Sequence, residues 1–552
     1  MRVAQAVGRA FAELGVDTVF GVVGSGNFHV TNALIERGAR FVAARHEAGA
    51  ATMADAYARV SRRIGVVSVH QGPGLTNALT GITEAAKSRT PLLVLAADTA
   101  GAAVRSNFRI DQDGLARSVG AVADRIHSPE SAVADAARAC RMASRGNTVV
   151  LSLPLDVQAA QYPGECSGTE VPPAPEMRPP QAAPDAVAEL ADVLVRAERP
   201  VFVAGRGARV AGARSSLEGL AERTGALLAT SAVAKGLFNG NPWYLDVSGG
   251  FASPLAAELI RGADVIVGWG CALNMWTMRH GALVGPGATV VQVDLDAEAI
   301  GAHRPVDLGV VGDVDLTARA VAAELVRLRS PQTDGYRTAE LRDRIAREVR
   351  WRDVPYRDES DGGRIDPRTL SIALDDLLPA ERVVAIDSGN FMGYPSMYLS
   401  VPDDDGFCFT QAYQSIGLGL ATAIGAALAR PDRLPVAALG DGGALMSIAE
   451  LETVVRLRLP MVVVVYDDEA YGAEVHHFGP DGHPLDTVRF PPTDIASIGR
   501  GFGCEAITVR SADDLGGVAD WVRGPREAPL VIDAKVVADR GSWWLEEAFR
   551  GH

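Results

Sequence analysis

VVVVYDDEAYG, residues 462–472, runs an apolar β-branched stretch straight into two adjacent carboxylates, Asp467 and Asp468. The valines read as a strand buried on both faces, the pattern of a parallel sheet covered by helices. Working outward, LPVAALG (434–440) reads as the preceding strand and Asp441-Gly442-Gly443 as a turn. Leu445, Ile448, Leu451 and Val455 form one face of a helix, and Pro460 then opens the next strand. In a right-handed β-α-β crossover the C-terminal ends of both strands lie on one sheet edge. Asp441 and the Asp467-Asp468 pair are therefore expected to converge there, beside Gly440, Gly442 and Gly443, whose backbone amides can approach phosphate oxygens. Carboxylates beside a diphosphate repel it unless a cation intervenes, and Mg2+ is commonly held by one or two carboxylates plus phosphate oxygens. Taken singly, the glycine turn reads as a turn and the aspartates as a solvated strand end; taken in this order, they read as a metal–diphosphate clamp.

The same rhythm covers the chain. FVAARH (41–46), IGVVSVH (64–70), PLLVLAAD (91–98), TVVLSLP (148–154), PVFVAG (200–205), DVIVGWG (264–270), TVVQVDLD (289–296), RVVAID (382–387) and APLVIDAKV (528–536) alternate with amphipathic helical patterns. The fold class is α/β. Residues 163–186 are dense in Pro, Ala and Gly, and 349–369 is polar and turn-rich, so both read as linkers. Three doubly wound parallel-sheet domains are expected, over 1–165, 185–330 and 355–540. A short amphipathic segment with paired tryptophans, 541–552, follows them; it reads equally as a lid over a site and as surface packing.

Composition bounds the function. At 552 residues, 47% hydrophobic and 22% charged, the chain is an ordinary globular protein with no apolar run long enough for a membrane span. Its start, MRVAQAVGRAFAELG, reads as an amphipathic helix without a cleavage site, so the cytoplasm is the expected compartment. A net charge of −15 without a basic stripe argues against a nucleic-acid partner. The five cysteines, at 140, 166, 271, 408 and 504, form no C-x-x-C pair, which argues against a zinc site and a disulfide framework.

The glycine turn followed, about two dozen residues later, by a polar pair resembles the thiamine diphosphate (ThDP) motif. The wider resemblance is to the superfamily of acetolactate synthase, benzoylformate decarboxylase, pyruvate decarboxylase and benzaldehyde lyase, and it spans nearly the whole chain. GVDTVFGVVGSGNFHVTNAL (15–34), ARHEAGAATMADAYAR (44–59) and HQGPGLTNALTGITEA (70–85) resemble the pyrimidine-binding domain. AIDSGN (385–390), QAYQSIGLGLATAIGAAL (411–428) and the clamp itself resemble the diphosphate-binding domain, with a Rossmann-like domain between. The resemblance implies ThDP and Mg2+, with Asp441, Asp468 and the backbone carbonyl of Ala470 as metal ligands. Ser415, Gly440, Gly442, Gly443, Tyr471 and Gly472 would surround the cofactor, Ile416 would prop it in its bent form, and Glu47 would contact the pyrimidine nitrogen. Family members pair the pyrimidine domain of one subunit with the diphosphate domain of another, which implies at least a homodimer and, by the same likeness, a homotetramer. Where the family usually carries Asn, this chain has Asp468, an extra negative charge.

The expected substrate is a 2-oxo acid, whose decarboxylation leaves an acyl anion that is protonated to an aldehyde or joined to an aldehyde or ketone acceptor. Ser25 and His70 match serine and histidine positions of benzoylformate decarboxylase, Glu474 matches a glutamate of pyruvate decarboxylase, and Gln112 resembles a glutamine of the carboligating members. The alternatives are a structural hydrogen-bonded histidine for His70 and polar loop faces for the others; His29, His476 and His477 read equally as residues lining the site entrance and as a polar loop face. Acetolactate synthases carry a tryptophan where His477 stands and an arginine in the region of GCALNMW (270–276); neither is present, which favours a decarboxylase that can also ligate over an acetolactate synthase-like transferase. PVFVAGRGARVAG (200–212) holds a G-x-G turn, but its third glycine is out of register, so neither a dinucleotide-dependent oxidoreductase nor a bound flavin (FAD, as in some relatives) is the expected reading.

Overall fold

A computed structural model describes residues 1–164, 171 and 177–548. Three six-stranded sheets, parallel throughout, follow one another along the chain. The first has the order Arg40–Ala43, Thr18–Gly21, Gly65–Val69, Leu92–Asp98, Thr148–Pro154, Val122–Arg125. The third repeats this order with Phe407–Phe409, Arg382–Ile386, Leu434–Gly440, Val462–Asp467, Leu530–Lys535, Glu505–Val509. The middle sheet runs Leu308–Val311, Thr289–Asp294, Val265–Trp269, Pro200–Ala204, Leu227–Thr230, Tyr244–Val247. Each expected run carries a strand, and most strands outside those runs are short and at sheet edges. Of the first expected linker, residues 165–170, including Cys166, and 172–176 lie outside the described residues, as do 549–552. In the second, Trp351–Asp353 forms a 3-10 turn and the helix Pro367–Leu377 begins. No helix among the described residues is long and apolar enough to cross a membrane.

The Val462–Asp467 strand is apolar on both faces because both are covered. Val463 and Val465 enter one buried cluster, and Val462, Val464 and Tyr466 enter another. The first of these clusters is shared between the N- and C-terminal domains. The helices Glu47–Ser61 and Gly419–Ala429 are rich in alanine and glycine on their facing sides, so their backbones come close. A side chain on Gly425 would run into the Met53 carbonyl.

Polar pins flank this seam. Arg59 donates to Asp55 at 3.0 Å, to Glu84 at 2.8 Å and to the Phe409 carbonyl at 2.9 Å. Glu84 also accepts the backbone N–H groups of Ala412 and Tyr413, at 3.1 and 2.7 Å, and so fixes the strand exit that leads to Ile416. Glu450 accepts the N–H groups of Arg45 and His46 at 2.9 and 3.1 Å, holding the entry to the Glu47 helix. The middle domain is pinned by Lys235, buried and bonded to the carbonyls of Ser396 and Leu399.

Replacing one member of a buried ionic cluster strands the others. Arg59→Met should therefore lower stability by about 3–5 kcal/mol in denaturant unfolding, because Asp55 and Glu84 are both fully buried. A loss within ordinary surface scatter would show that this cluster does not hold the seam.

Candidate active site

Successive residues of a strand point to opposite faces, and that alternation divides the two aspartates. Asp467 lies opposite Lys535 in the sheet register, and its buried carboxylate pairs with the Lys535 ammonium. Lys535 also reaches Asp533 at 3.1 Å and the Thr493 carbonyl at 2.9 Å. Asp467 accepts the Glu469 N–H at 3.1 Å and does not line the cavity at the strand end. The expected convergence on Asp441 is thus made by Asp468 alone, and Asp467 is a structural carboxylate.

Asp468 and Asp441 line a cavity of about 940 Å3, together with Gly440, Gly442, Gly443, Ala470, Tyr471, Gly472, Glu474 and Ile416. Burial, followed by the charges of Asp468 and Asp467, pushes the Asp441 carboxyl far above the usual carboxylate range. Burial raises Asp468 as well. A cation between the two carboxyls would let both ionise. No group of three or more His, Cys, Asp or Glu side chains among the described residues is placed to hold a metal alone. Two carboxylates with a backbone carbonyl nearby fit Mg2+ when phosphate oxygens complete the shell.

The cradle needs its glycines. A Cβ on Gly442 would strike the Tyr471 ring, and one on Gly472 would strike Asp468 Oδ2. Between them, Glu469 sits in the left-handed region at φ 57°, held by Arg364 at 2.7 Å. Ile416 is 36% exposed and is presented by a pinned loop. Asp387 accepts Gly417 N–H at 3.0 Å, Leu418 N–H at 3.3 Å and Ser388 N–H at 2.8 Å, while burial pushes its pKa up to about 6. The sequence reading missed Asp387; its signal was an aspartate directly after a buried strand at a switch of strand order. Ser415 turns its hydroxyl to the Ile416 carbonyl at 3.2 Å.

The remaining predicted residues stand at the matching edge of the N-terminal sheet. Ser25, Glu47 and His70 follow the strands Thr18–Gly21, Arg40–Ala43 and Gly65–Val69. Ser25 Oγ lies 3.3 Å from His70 Nε2, and His70 Nδ1 lies 2.9 Å from the Gln71 carbonyl. A carbonyl can only accept, so Nδ1 carries the proton and Nε2 accepts from Ser25. Glu47 opens its helix and accepts from Asn77 at 3.1 Å. Gln112 is buried, with its amide bonded to the Ala97 carbonyl at 3.1 Å and to Gly72 N–H at 3.2 Å. It lines a second cavity, of about 770 Å3. Glu474 is exposed in the clamp cavity on the helix Gly472–Phe478, whereas Ser25, Glu47, His70 and Gln112 do not line that cavity. On the same helix burial, then Arg489, lowers the His476 pKa. His29 is exposed beside the Phe28 ring, and the His477 ring lies 4.6 Å from that of Phe478. In the middle domain, the amides of Gly205 and Gly207 donate to the carbonyls of Trp269 and Gly270, both at 2.9 Å, so these two amides of the G-x-G turn are taken by the exit of the neighbouring strand.

Comparison with known proteins matches residues 1–115 to the thiamine pyrophosphate enzyme N-terminal TPP binding domain, 187–321 to the central domain and 387–534 to the C-terminal TPP binding domain. The chain belongs to the thiamine pyrophosphate enzyme family. Thiamine pyrophosphate is ThDP, and the two matched binding domains are those that carry the Glu47 and Asp441 edges. This family member is 31% identical to a probable 2-ketoarginine decarboxylase of Pseudomonas aeruginosa, over 93% of this chain and 90% of that protein. It is 29% identical to a sulfoacetaldehyde acetyltransferase of Alcaligenes xylosoxydans xylosoxydans, over 91% of this chain and 87% of that protein. It is 28% identical to an acetolactate synthase large subunit of Parasynechococcus marenigrum, over 95% and 85%.

The two aspartates should separate by experiment in this ThDP enzyme. Asp467→Asn should cost about 2 kcal/mol of stability, since Lys535 keeps Asp533 as a partner, with divalent-cation affinity unchanged. Asp468→Asn should leave stability intact and shift cation affinity, read by calorimetry in the presence of ThDP. The reverse pattern would overturn the division of roles.

Proposed function

We propose that the protein uses ThDP and Mg2+ to decarboxylate a small 2-oxo acid, with the acyl anion protonated to an aldehyde or ligated to an aldehyde or ketone. Asp441, Asp468 and the Ala470 carbonyl hold the cation; Gly440, Gly442, Gly443, Tyr471 and Gly472 surround the diphosphate, and Ile416 supports the cofactor. Bound ThDP supplies the electron sink for the pair left behind by carbon dioxide. Glu47 holds a proton against the cofactor's ring nitrogen, and Glu474 stands at the cavity mouth.

The observation that carries the lyase reading is the Ser25–His70 pair. With Nδ1–H fixed by the Gln71 carbonyl, His70 Nε2 exchanges a proton with Ser25 Oγ at 3.3 Å, a relay placed to protonate a carbanion. The second reading, an acetolactate synthase-like carboligase, is supported by the acetyltransferase and synthase relatives. In that case Gln112 and the neighbouring cavity belong to the acceptor side.

We infer that the site is completed by a second copy, in a homodimer at least and a homotetramer as the fuller assembly. Glu47, Ser25 and His70 lie outside the clamp cavity of their own chain. Both edges also expose large apolar groups, Val23 and Phe28 on one and Leu445 and Met446 on the other. The protein's buried free thiols at Cys140, Cys271, Cys408 and Cys504 suit the cytoplasm.

The test incubates the protein with ThDP, Mg2+ and a panel of aliphatic and aromatic 2-oxo acids, with and without aldehyde acceptors, and reads products by mass spectrometry. Aldehyde should predominate, and His70→Ala should reduce its release about 100-fold while raising the ligated fraction. A hydroxyketone or acetohydroxy acid as the main wild-type product would replace the lyase reading with the carboligase. Glu47→Gln should still bind ThDP and lose turnover at least about 100-fold; retained turnover would remove Glu47 from the ring nitrogen.

A further inference from the structure

The segment after the last strand is bonded to one residue of the diphosphate edge. Asn390 follows the strand Arg382–Ile386 and lines the same cavity as Asp441 and Asp468. Its Oδ1 accepts the Ser542 backbone N–H at 3.1 Å and lies 3.1 Å from the Ser542 hydroxyl. Its backbone carbonyl accepts that hydroxyl at 2.8 Å and the Trp544 indole N–H at 3.1 Å. A backbone N–H has only a proton to give, so the oxygen end of the Asn390 amide must face Ser542. The donor end turns the other way, onto Gly472: a Cβ built on Gly472 would lie 3.3 Å from Asn390 Nδ2 and closer still to Asp468 Oδ2. Nδ2 is therefore a donor set beside the carboxylate that faces the cation.

The segment is also anchored by aromatic packing. Trp544 is 4% exposed, packs its indole on the backbone of Gly393, and meets Trp276 and Phe251 of the middle domain at ring separations of 5.6 and 6.4 Å. Trp543 stacks under the Arg279 guanidinium at 4.4 Å and beside Trp351 at 5.3 Å. Gly541 lies against His476 on the Gly472–Phe478 helix. Aromatic packing of this kind accounts for docking of the segment, but not for a serine that meets Asn390 through both its N–H and its hydroxyl.

We propose that residues 541–545 form a strap that sets the Asn390 amide as a hydrogen-bond donor to the cofactor's diphosphate, with Ser542 as a positioning residue and the two tryptophans as its anchor. The inference rests on ThDP occupying the clamp cavity. A donor to a charged oxygen that loses its orientation weakens binding by about tenfold. By reciprocity, a diphosphate that gains this donor steadies the strap by the same factor.

The experiment measures binding of ThDP and of thiamine, which lacks the diphosphate, to the cofactor-free full-length protein in Mg2+ by calorimetry, for wild type, Ser542→Pro, which removes both the N–H and the hydroxyl, and Ser542→Thr, which keeps both. Hydrogen exchange of residues 541–548 is followed in the wild type with and without ThDP. Ser542→Pro should bind ThDP about tenfold more weakly and thiamine equally well, and Ser542→Thr should stay within about twofold of wild type. Exchange in 541–548 should slow on adding ThDP to the wild type, a result that needs no variant. Wild-type ThDP uptake with unchanged affinity in Ser542→Pro, or with unchanged exchange in the segment, overturns the strap alone. Failure of the wild type to take up ThDP overturns the cofactor assignment and the strap with it.

Discussion

The close packing of two small-residue helices, Glu47–Ser61 against Gly419–Ala429, is the constraint on which the rest of the chain depends. Only glycine at 425 lets the backbones meet at the Met53 carbonyl, and the contact merges the interiors of the first and third sheets into one cluster. It also decides where Glu47 stands. The helix that begins with Glu47 is locked along its length by the seam and at its entry by Glu450, so its first residue is carried by the C-terminal domain of its own chain. That placement leaves Glu47 off the clamp cavity of the same chain. The seam that makes the first and third domains rigid against each other also fixes Glu47 away from that cavity.

The paired aspartates show how a sheet separates stability from chemistry over adjacent residues. Asp467, on one face, is neutralised by Lys535 and shielded from the cavity; Asp468, on the other, is left without a cation of its own. The Lys535–Asp467–Asp533 cluster allows a charged strand end to be buried without drawing on the cavity-side pair Asp441 and Asp468.

The strands and the meeting of Asp441 with Asp468 were legible in the sequence because their signals are local. Valine runs, a glycine turn and an aspartate at a strand end lie within a few residues of one another, and the crossover rule supplies the rest of the geometry. What was not legible are partners chosen by tertiary contact. Arg45 and Glu450 lie 405 positions apart and Asn390 and Ser542 lie 152 apart, and no periodicity links them. The sequence alone also suggested that both aspartates reach the clamp, since register across the sheet, which sets Asp467 against Lys535, is invisible in a single strand. Gln112 shows the same limit: its residue type suits an active site, yet both ends of its amide meet backbone groups that only the fold brings near.

The middle domain fits this account as a buttress. Its glycine turn donates to the neighbouring strand exit, where Gly270 packs closely against Gly207. What it offers the rest of the chain is rigid contact: Lys235 enters the backbone carbonyls that close the Gly393–Tyr398 helix, and Trp276, Phe251 and Arg279 receive the paired tryptophans. Both contacts converge on Asn390–Tyr398, the stretch that leaves the C-terminal sheet at its ligand edge. A stretch in that position must be stiff if the polar groups it carries are to keep their places, and a loop clamped from its own sheet alone would be free on its outer side. The middle domain closes that side and lines the cavity of Asp441 and Asp468 itself through Asn274, Met275 and Trp276, which gives it a physical part in the geometry of the site.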